Sequence, residues 1–180
     1  DFATRLSISA SVNISIRQLS DKNLQQFIAE LLQQYSLPAH LLELEVTESC
    51  LQGELIHINC LEQLESLGIP ISIDDFGTSY SCLSSLKNLP IKRLKIDQSF
   101  VKGIPYDNND CAIAAAILAL AQKLNLRVIA EGIETLDQAN FLTNLGCDEL
   151  QGYLLSKPVT PQQIPDLIRQ LPIHLETLKL

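Results

Sequence analysis

A parallel α/β fold closing as a (β/α)8 barrel of the TIM type, here an incomplete fragment of about six β/α units, is the fold class that this 180-residue sequence predicts. Three observations predict it. Short runs rich in Ile, Val and Leu alternate six times with longer runs whose apolar residues recur at helical spacing, without low-complexity linkers or a short-period repeat. Polar residues able to do chemistry stand at or just past the end of each β-like run; a barrel gathers six such ends at one mouth, whereas a doubly wound sheet uses mainly one crevice. Hydrophobic residues form 46% of the chain and charged residues 19%, which suits one contiguous core and excludes disorder. A complete barrel takes about 250 residues, so the remaining pair of units is expected upstream of Asp1.

The elements follow in order. Ser7 to Ser15 alternates and reads as a strand. Ser20 is expected to cap a helix whose Leu24, Phe27, Ile28, Leu31, Leu32 and Tyr35 follow the i, i+3, i+4, i+7 template. Leu42 to Thr47 is the second strand, and its helix carries Leu55, Ile58, Leu61, Leu64 and Leu67 until Gly68 and Pro70 stop it. Ile69 to Asp74 is the third, followed by a Gly/Ser-rich loop and a short helix near Leu83 to Leu86. Ile91 to Asp97 is the fourth, and after a turn at Pro105 to Asn109 an Ala-rich helix runs to Lys123. Leu126 to Glu131 is the fifth; its helix opens on the capping box Thr135-x-x-Gln138 and closes at Gly146. Asp148 to Tyr153 is the sixth, and Thr160-Pro161-x-Gln163 opens the last helix with a capping box and Pro at its first position. Residues 1–172 are assigned to the partial barrel and 173–180 to a tail.

Thirteen Lys and Arg against 21 Asp and Glu give a formal charge of −8, which repels nucleic-acid phosphates and disfavours DNA or RNA as a partner. An anionic small ligand would need a local cation. The five cysteines (Cys50, Cys60, Cys82, Cys111 and Cys147) are odd in number and form no C-x-x-C pair, so a reducing, cytoplasmic compartment fits best. The longest apolar run, Cys111 to Ala121, falls short of the roughly 20 residues that cross a bilayer and reads as a packed helix or a homodimer face. With no initiator Met, the chain is expected to be a segment of a longer product, whose parent could be membrane-tethered.

The polar residues at strand ends are Asn13, Glu45, Asp74, Asp75, Lys95, Asp97, Glu131 and Gln151. Taken singly, each could be a turn residue or a helix cap. Several carboxylates near one axis cannot all stay ionised without cations, so the set asks for metal. Carboxylates and an amide are hard oxygen donors suited to Mg2+ or Mn2+, and none of His40, His57 and His174 falls at a strand end. Adjacent Asp74 and Asp75 can point to different sides, which would let one bridge two ions that clamp a phosphodiester. Lys95 reads either as a counterion or as the group that orients water and stabilises developing charge on phosphorus.

Six segments then resemble one family, the EAL domain of bacterial cyclic di-GMP phosphodiesterases: SVNIS (Ser11 to Ser15) with Arg17-Gln18-Leu19, LEVTES (Leu44 to Ser49), DDFGTSYSCL (Asp74 to Leu83), LKIDQSFV (Leu94 to Val101), AEGIET (Ala130 to Thr135) and QGYLLSKP (Gln151 to Pro158). The resemblance implies a modified (β/α)8 barrel with one reversed strand, and two-metal hydrolysis of cyclic di-GMP to linear pGpG. It further implies Asn13, Glu45 and Asp74 as ligands of a first ion, with Asp74 bridging to a second held by Asp75 and Glu131. Lys95 looks like the catalytic lysine, with Glu131 and Gln151 also in the catalytic set. Glu48 looks like the glutamate that steadies the loop after the aspartate pair, Asp97 completes the KID element, and Gln18, Gly77, Thr78 and Ser79 are substrate or loop positions.

The sequence departs from the family pattern in places. The E-x-L strand would precede Asp1, taking one first-ion ligand with it. Ser79 stands where the family usually has Gly, and Cys82 where it usually has Ser. If that backbone has positive φ, Ser79 costs of order 1 kcal/mol. Little activity is expected of this segment alone. The alternatives are a non-catalytic cyclic di-GMP receptor and an interaction scaffold, and a GGDEF or sensor partner domain in the parent is compatible with each.

Overall fold

All six expected strands form in the computed structural model, which describes residues 8–48, 55–78, 86–87 and 89–178. The chain divides into two units, Asp1–Leu94 and Lys95–Leu180. The expected short helix near Leu83 and the departures at Ser79 and Cys82 lie outside the described residues, Leu86 excepted.

The first unit contains β1 (Ala10–Asn13), α1 (Ile16–Leu19), α2 (Leu24–Gln34), a 3-10 turn (Ala39–Leu41), β2 (Leu42–Thr47), α3 (Leu55–Ser66), β3 (Ile71–Phe76) and the start of β4 (Arg93–Ile96). Its strands follow chain order, and β1–β2 and β2–β3 pair in parallel, as strands joined by helical crossovers must. Register puts Leu44 beside Ile71 and Val46 beside Ile73 on one face, and Asn13 beside Glu45, Glu45 beside Ser72 and Thr47 beside Asp74 on the other. Both faces of β2 are buried: Leu44 is 2% exposed and Val46 0%, yet Glu43 is 2% and Glu45 8%. Parallel strands covered on both faces are ordinarily apolar throughout. A buried acidic face is therefore retained at an energetic cost, and that marks the chemical side of the sheet.

One helix starts differently from expectation. Ser20 does not cap the helix that begins at Leu24; it closes α1 from the C-terminal side, and Asn23 is the N-cap of α2. The cause is a second capping box, Ser15-x-x-Gln18, which starts a separate single turn directly after β1. The Ser20 hydroxyl instead lies 3.1 Å from the Ile16 carbonyl and 3.1 Å from Nε2 of His57. His57, 7% exposed on α3, is thus part of the packing between α1 and α3.

The second unit holds the end of β4, a 3-10 turn (Gln98–Phe100), α4 (Asn108–Lys123), β5 (Arg127–Ala130), α5 (Leu136–Asn144), β6 (Glu149–Leu150), a 3-10 turn (Pro161–Gln163) and α6 (Ile164–Leu178). β5 and β6 are parallel. Both expected capping boxes form, at Thr135–Gln138 and Thr160–Gln163, although the second opens on 3-10 rather than α geometry. On α4 the stripe Ala114, Ile117, Leu118 and Ala121 is buried, four of the eleven residues of the apolar run, while Ile113 stays 37% exposed. α6 continues through Pro172, so the segment assigned to a tail is helical as far as Leu178. Among the described residues, no helix is long and apolar enough to cross a membrane.

Burial pushes the Cys147 thiol up to about 11, against smaller lowering by hydrogen bonding to backbone carbonyls. At pH 8 its thiolate fraction is about a hundredfold below that of a thiol at the reference value of 9.0. Cys147 is accordingly expected to react with a disulfide reagent far more slowly than free cysteine; comparison of labelling rates with a Cys147→Ser variant measures this.

Candidate active site

In the first unit, β1 ends on Asn13, whose neighbour Ile14 donates its N–H to the Glu45 carbonyl at 2.8 Å. Glu43 and Glu45 share a face of β2 because strand side chains alternate with period two. Glu43 is neutralised by Arg93, the side chain two residues before Lys95 on β4. β3 carries Asp74 and Asp75, both half-buried. Asp75 has φ +53°, a left-handed conformation that Asp tolerates better than most residues and that costs of order 1 kcal/mol. The kink brings the consecutive carboxylates together: Asp74 and Asp75 each offer an oxygen within 4.8 Å of the other, and the Asp75 N–H donates to Asp74 Oδ1 at 3.1 Å. Beyond it, Gly77 takes φ +98° and donates its N–H to Glu48 Oε2 at 3.0 Å, while the Thr78 hydroxyl donates to the Asp75 carbonyl at 2.8 Å. Glu48 is 4% exposed, so a buried carboxylate holds the turn after the aspartate pair. Gln18 acts locally, its Oε1 accepting from the Ser15 N–H at 3.0 Å in the capping box of α1.

In the second unit, Lys95 on β4 is 4% exposed and its ammonium lies 2.8 Å from Glu131 Oε1. Glu131 follows β5, and its N–H donates to the Ile96 carbonyl at 3.2 Å, which fixes the backbone beside the ion pair. Asp97 accepts from the Ser99 N–H at 3.0 Å as cap of the 3-10 turn. Gln151 follows β6, its N–H donating to the Ala130 carbonyl at 2.8 Å and its carbonyl accepting from the Ile133 N–H at 3.0 Å. These segments enclose a cleft of about 450 Å³ lined by Gln98, Glu131, Glu134, Gln151 and Tyr153, with Gly132 and Gly152 in its wall. That volume falls in the range of small-ligand sites. The Lys157 ammonium sits 5.9 Å from the ring centroid of Tyr153, which lines this cleft.

Gln98, Glu134 and Tyr153 in the cleft, and the Glu43–Arg93 pair, do not stand out in the sequence as site residues. For the pair a signal existed, since Glu43 precedes Glu45 and Arg93 precedes Lys95 by two residues and so shares its face. No period singled out the cleft residues: Gln98 opens a 3-10 turn, and Glu134 and Tyr153 lie on irregular backbone. Within the first unit the donors Asn13, Glu45, Asp74 and Asp75 present carboxylate and amide oxygen, the donor chemistry that fits Mg2+ or Mn2+.

A family model described as EAL domain matches residues 2–158. Signaling protein YkoW of Bacillus subtilis is 46% identical over 166 residues, 92% of this chain and 21% of the relative. The bifunctional diguanylate cyclase/cyclic di-GMP phosphodiesterase MucR of Pseudomonas aeruginosa is 46% identical over 156 residues, 86% of this chain and 23% of the relative. The chain thus spans about a fifth of the length of these curated relatives. A solved structure of the PaMucR phosphodiesterase in complex with c-di-GMP superposes with TM-score 0.83 at 44% identity, covering 87% of this chain and 64% of that one. The shared fold is the barrel-type α/β architecture expected from the sequence.

Proposed function

Because this chain belongs to the EAL domain family, we propose that the protein carrying it hydrolyses cyclic di-GMP to linear pGpG and needs divalent cations to do so. The observation that carries the reading is the enclosed Lys95–Glu131 pair at 2.8 Å beside the cleft that Gln151 borders. An ammonium buried this deeply is costly unless a carboxylate compensates it, and a compensated ammonium is a fixed donor in a water-poor site.

Asn13, Glu45 and Asp74 are proposed to hold one Mg2+ or Mn2+, with Asp74 shared with a second held by Asp75 and Glu131. When bound, the ions neutralise the phosphodiester and act as Lewis acids toward it. Lys95 orients the attacking water and stabilises charge developing on the phosphoryl oxygens. Gln151 positions water or substrate by hydrogen bonding. One P–O bond forms to the water oxygen, one P–O bond to a ribose oxygen breaks, and the water proton ends on that leaving oxygen. A cytoplasmic location, a GGDEF or sensor domain in the parent chain and pairing through the outer face of α4 belong to the same proposal; the bifunctional name of MucR and the exposed Ile113 support the second and third.

The test is chromatographic separation of cyclic di-GMP from pGpG with the full-length protein. Turnover is expected with Mg2+ or Mn2+, none in excess chelator, and a loss of at least about a hundredfold in Asp74→Asn. Cleavage persisting in chelator sinks the metal assignment. Tight binding without cleavage selects the receptor reading, and neither binding nor cleavage selects the scaffold.

A further inference from the structure

We propose that Gln138 is a positioning residue for the Lys95–Glu131 pair: its carboxamide pins the loop that carries Glu131 to the turn that follows Lys95. The inference rests on the phosphodiesterase reading above. Gln138 sits on the first turn of α5 and is 5% exposed. All four hydrogen-bonding positions of its carboxamide are engaged. Oε1 accepts from the N–H groups of Glu134 at 2.8 Å and Thr135 at 3.0 Å. Nε2 donates to the carbonyls of Val101 at 3.2 Å and Lys102 at 3.5 Å.

The capping box explains only the first pair. A residue three positions into a helix reaches back to the N-cap N–H, and Glu serves there as well as Gln. The second pair lies 36 and 37 residues away and presents two carbonyl acceptors. Only a side chain that accepts at one end and donates at the other satisfies both sets, which is why an amide is required. The segments it joins lead directly to the site. The first passes from Lys95 through the Asp97-capped 3-10 turn to Lys102. The second runs from Glu131, through Gly132 at φ +72°, to the cleft residue Glu134 and the cap Thr135. Their backbones already approach closely, since a Cβ on Gly132 would lie 2.7 Å from Gln98 Cβ. The pin holds the far ends of both segments, so that Lys95 and Glu131 keep their separation when charge changes on a bound ligand.

Q138E and Q138A in the full-length protein test this. Q138E keeps the helix acceptor and removes both donors. It is expected to lower kcat about tenfold to a hundredfold, the scale of a misplacement near 1 Å, with KM within about threefold of wild type. Hydrogen exchange at the amides of Phe100 to Ile104 is expected to accelerate while exchange within α5 stays unchanged. If Q138E matches wild type in kcat and in exchange, Gln138 is merely a cap and the proposal is overturned. Faster exchange with unchanged kcat overturns it as well. Should Q138E not fold, Q138A carries the same test without a buried charge: the pin loosens the Phe100 to Ile104 amides, whereas loss of a cap alone loosens only the first turn of α5. A wild-type protein without turnover defeats the phosphodiesterase reading instead, and the exchange data still decide whether the pin exists.

Discussion

Replacing Lys95 by methionine is expected to lower cyclic di-GMP turnover about 1,000-fold, within the range that a positioned proton donor or charge stabiliser contributes. Methionine nearly preserves the volume of the stem, so the packing of a side chain 4% exposed is kept while the ammonium is removed. Two effects compete. Glu131, whose side chain is 18% exposed, loses the cation 2.8 Å away, and breaking a buried pair costs about 3 kcal/mol of stability. On the proposed reading, the same loss removes the donor that faces the reacting phosphodiester. Denaturant unfolding and kcat on one preparation separate them, because a stability loss of that size still leaves a marginally stable domain mostly folded. If a folded Lys95→Met protein retains wild-type kcat, Lys95 is a counterion only. Glu131→Gln is the companion variant: it keeps the shape and removes the charge that holds the ammonium in place.

Gly152→Ala is the second large effect. A Cβ at this position would lie 2.1 Å from the Ile133 carbonyl oxygen and 2.3 Å from its nitrogen. Those are backbone atoms, and their segment is fixed by two hydrogen bonds, from the Ile133 N–H to the Gln151 carbonyl at 3.0 Å and from the Leu154 N–H to the Ile133 carbonyl at 2.9 Å. No side chain can swing aside, so the loops must separate. The expected destabilisation is about 3 kcal/mol, which lowers Tm by about 10 °C in a domain of this size. Gln151, one residue earlier, moves with the backbone, so turnover falls even below the melting temperature. A thermal melt within about 2 °C of wild type, equivalent to less than about 1 kcal/mol, would show that the contact relaxes cheaply. Gly132→Ala is the comparison: its new methyl would lie 2.7 Å from Gln98 Cβ and 3.4 Å from its Cα, atoms that no rotamer change moves, and positive φ adds about 1 kcal/mol.

Periodicity made the elements legible because it reports one physical fact, the side of the chain that must leave water. The alternation of strands and helices follows from it, and the buried stripe of α4 shows the side that leaves water. The capping boxes at Thr135 and Thr160 were legible for the same local reason, since their hydrogen bonds close within four residues. Ser20 shows where local reading stops: Ser15, read as the end of a strand, forms an S-x-x-Q box that closes both of its hydrogen bonds and leaves Ser20 at the other end of that turn. Strand ends also shifted by a few residues, because a strand ends where its partner stops offering carbonyls.

The sequence by itself determined the α/β alternation, the family resemblance, and the polar residues placed at strand ends, since these depend on residue type and spacing along the chain. Tertiary structure alone decided which of them work together. Lys95 meets Glu131 at 2.8 Å from a distant part of the chain, and Gln138 reaches the Val101 and Lys102 carbonyls. Hydrogen bonds and ion pairs act over about 3 Å, and no pattern along a chain encodes a distance that short between residues so far apart until packing brings their backbones together.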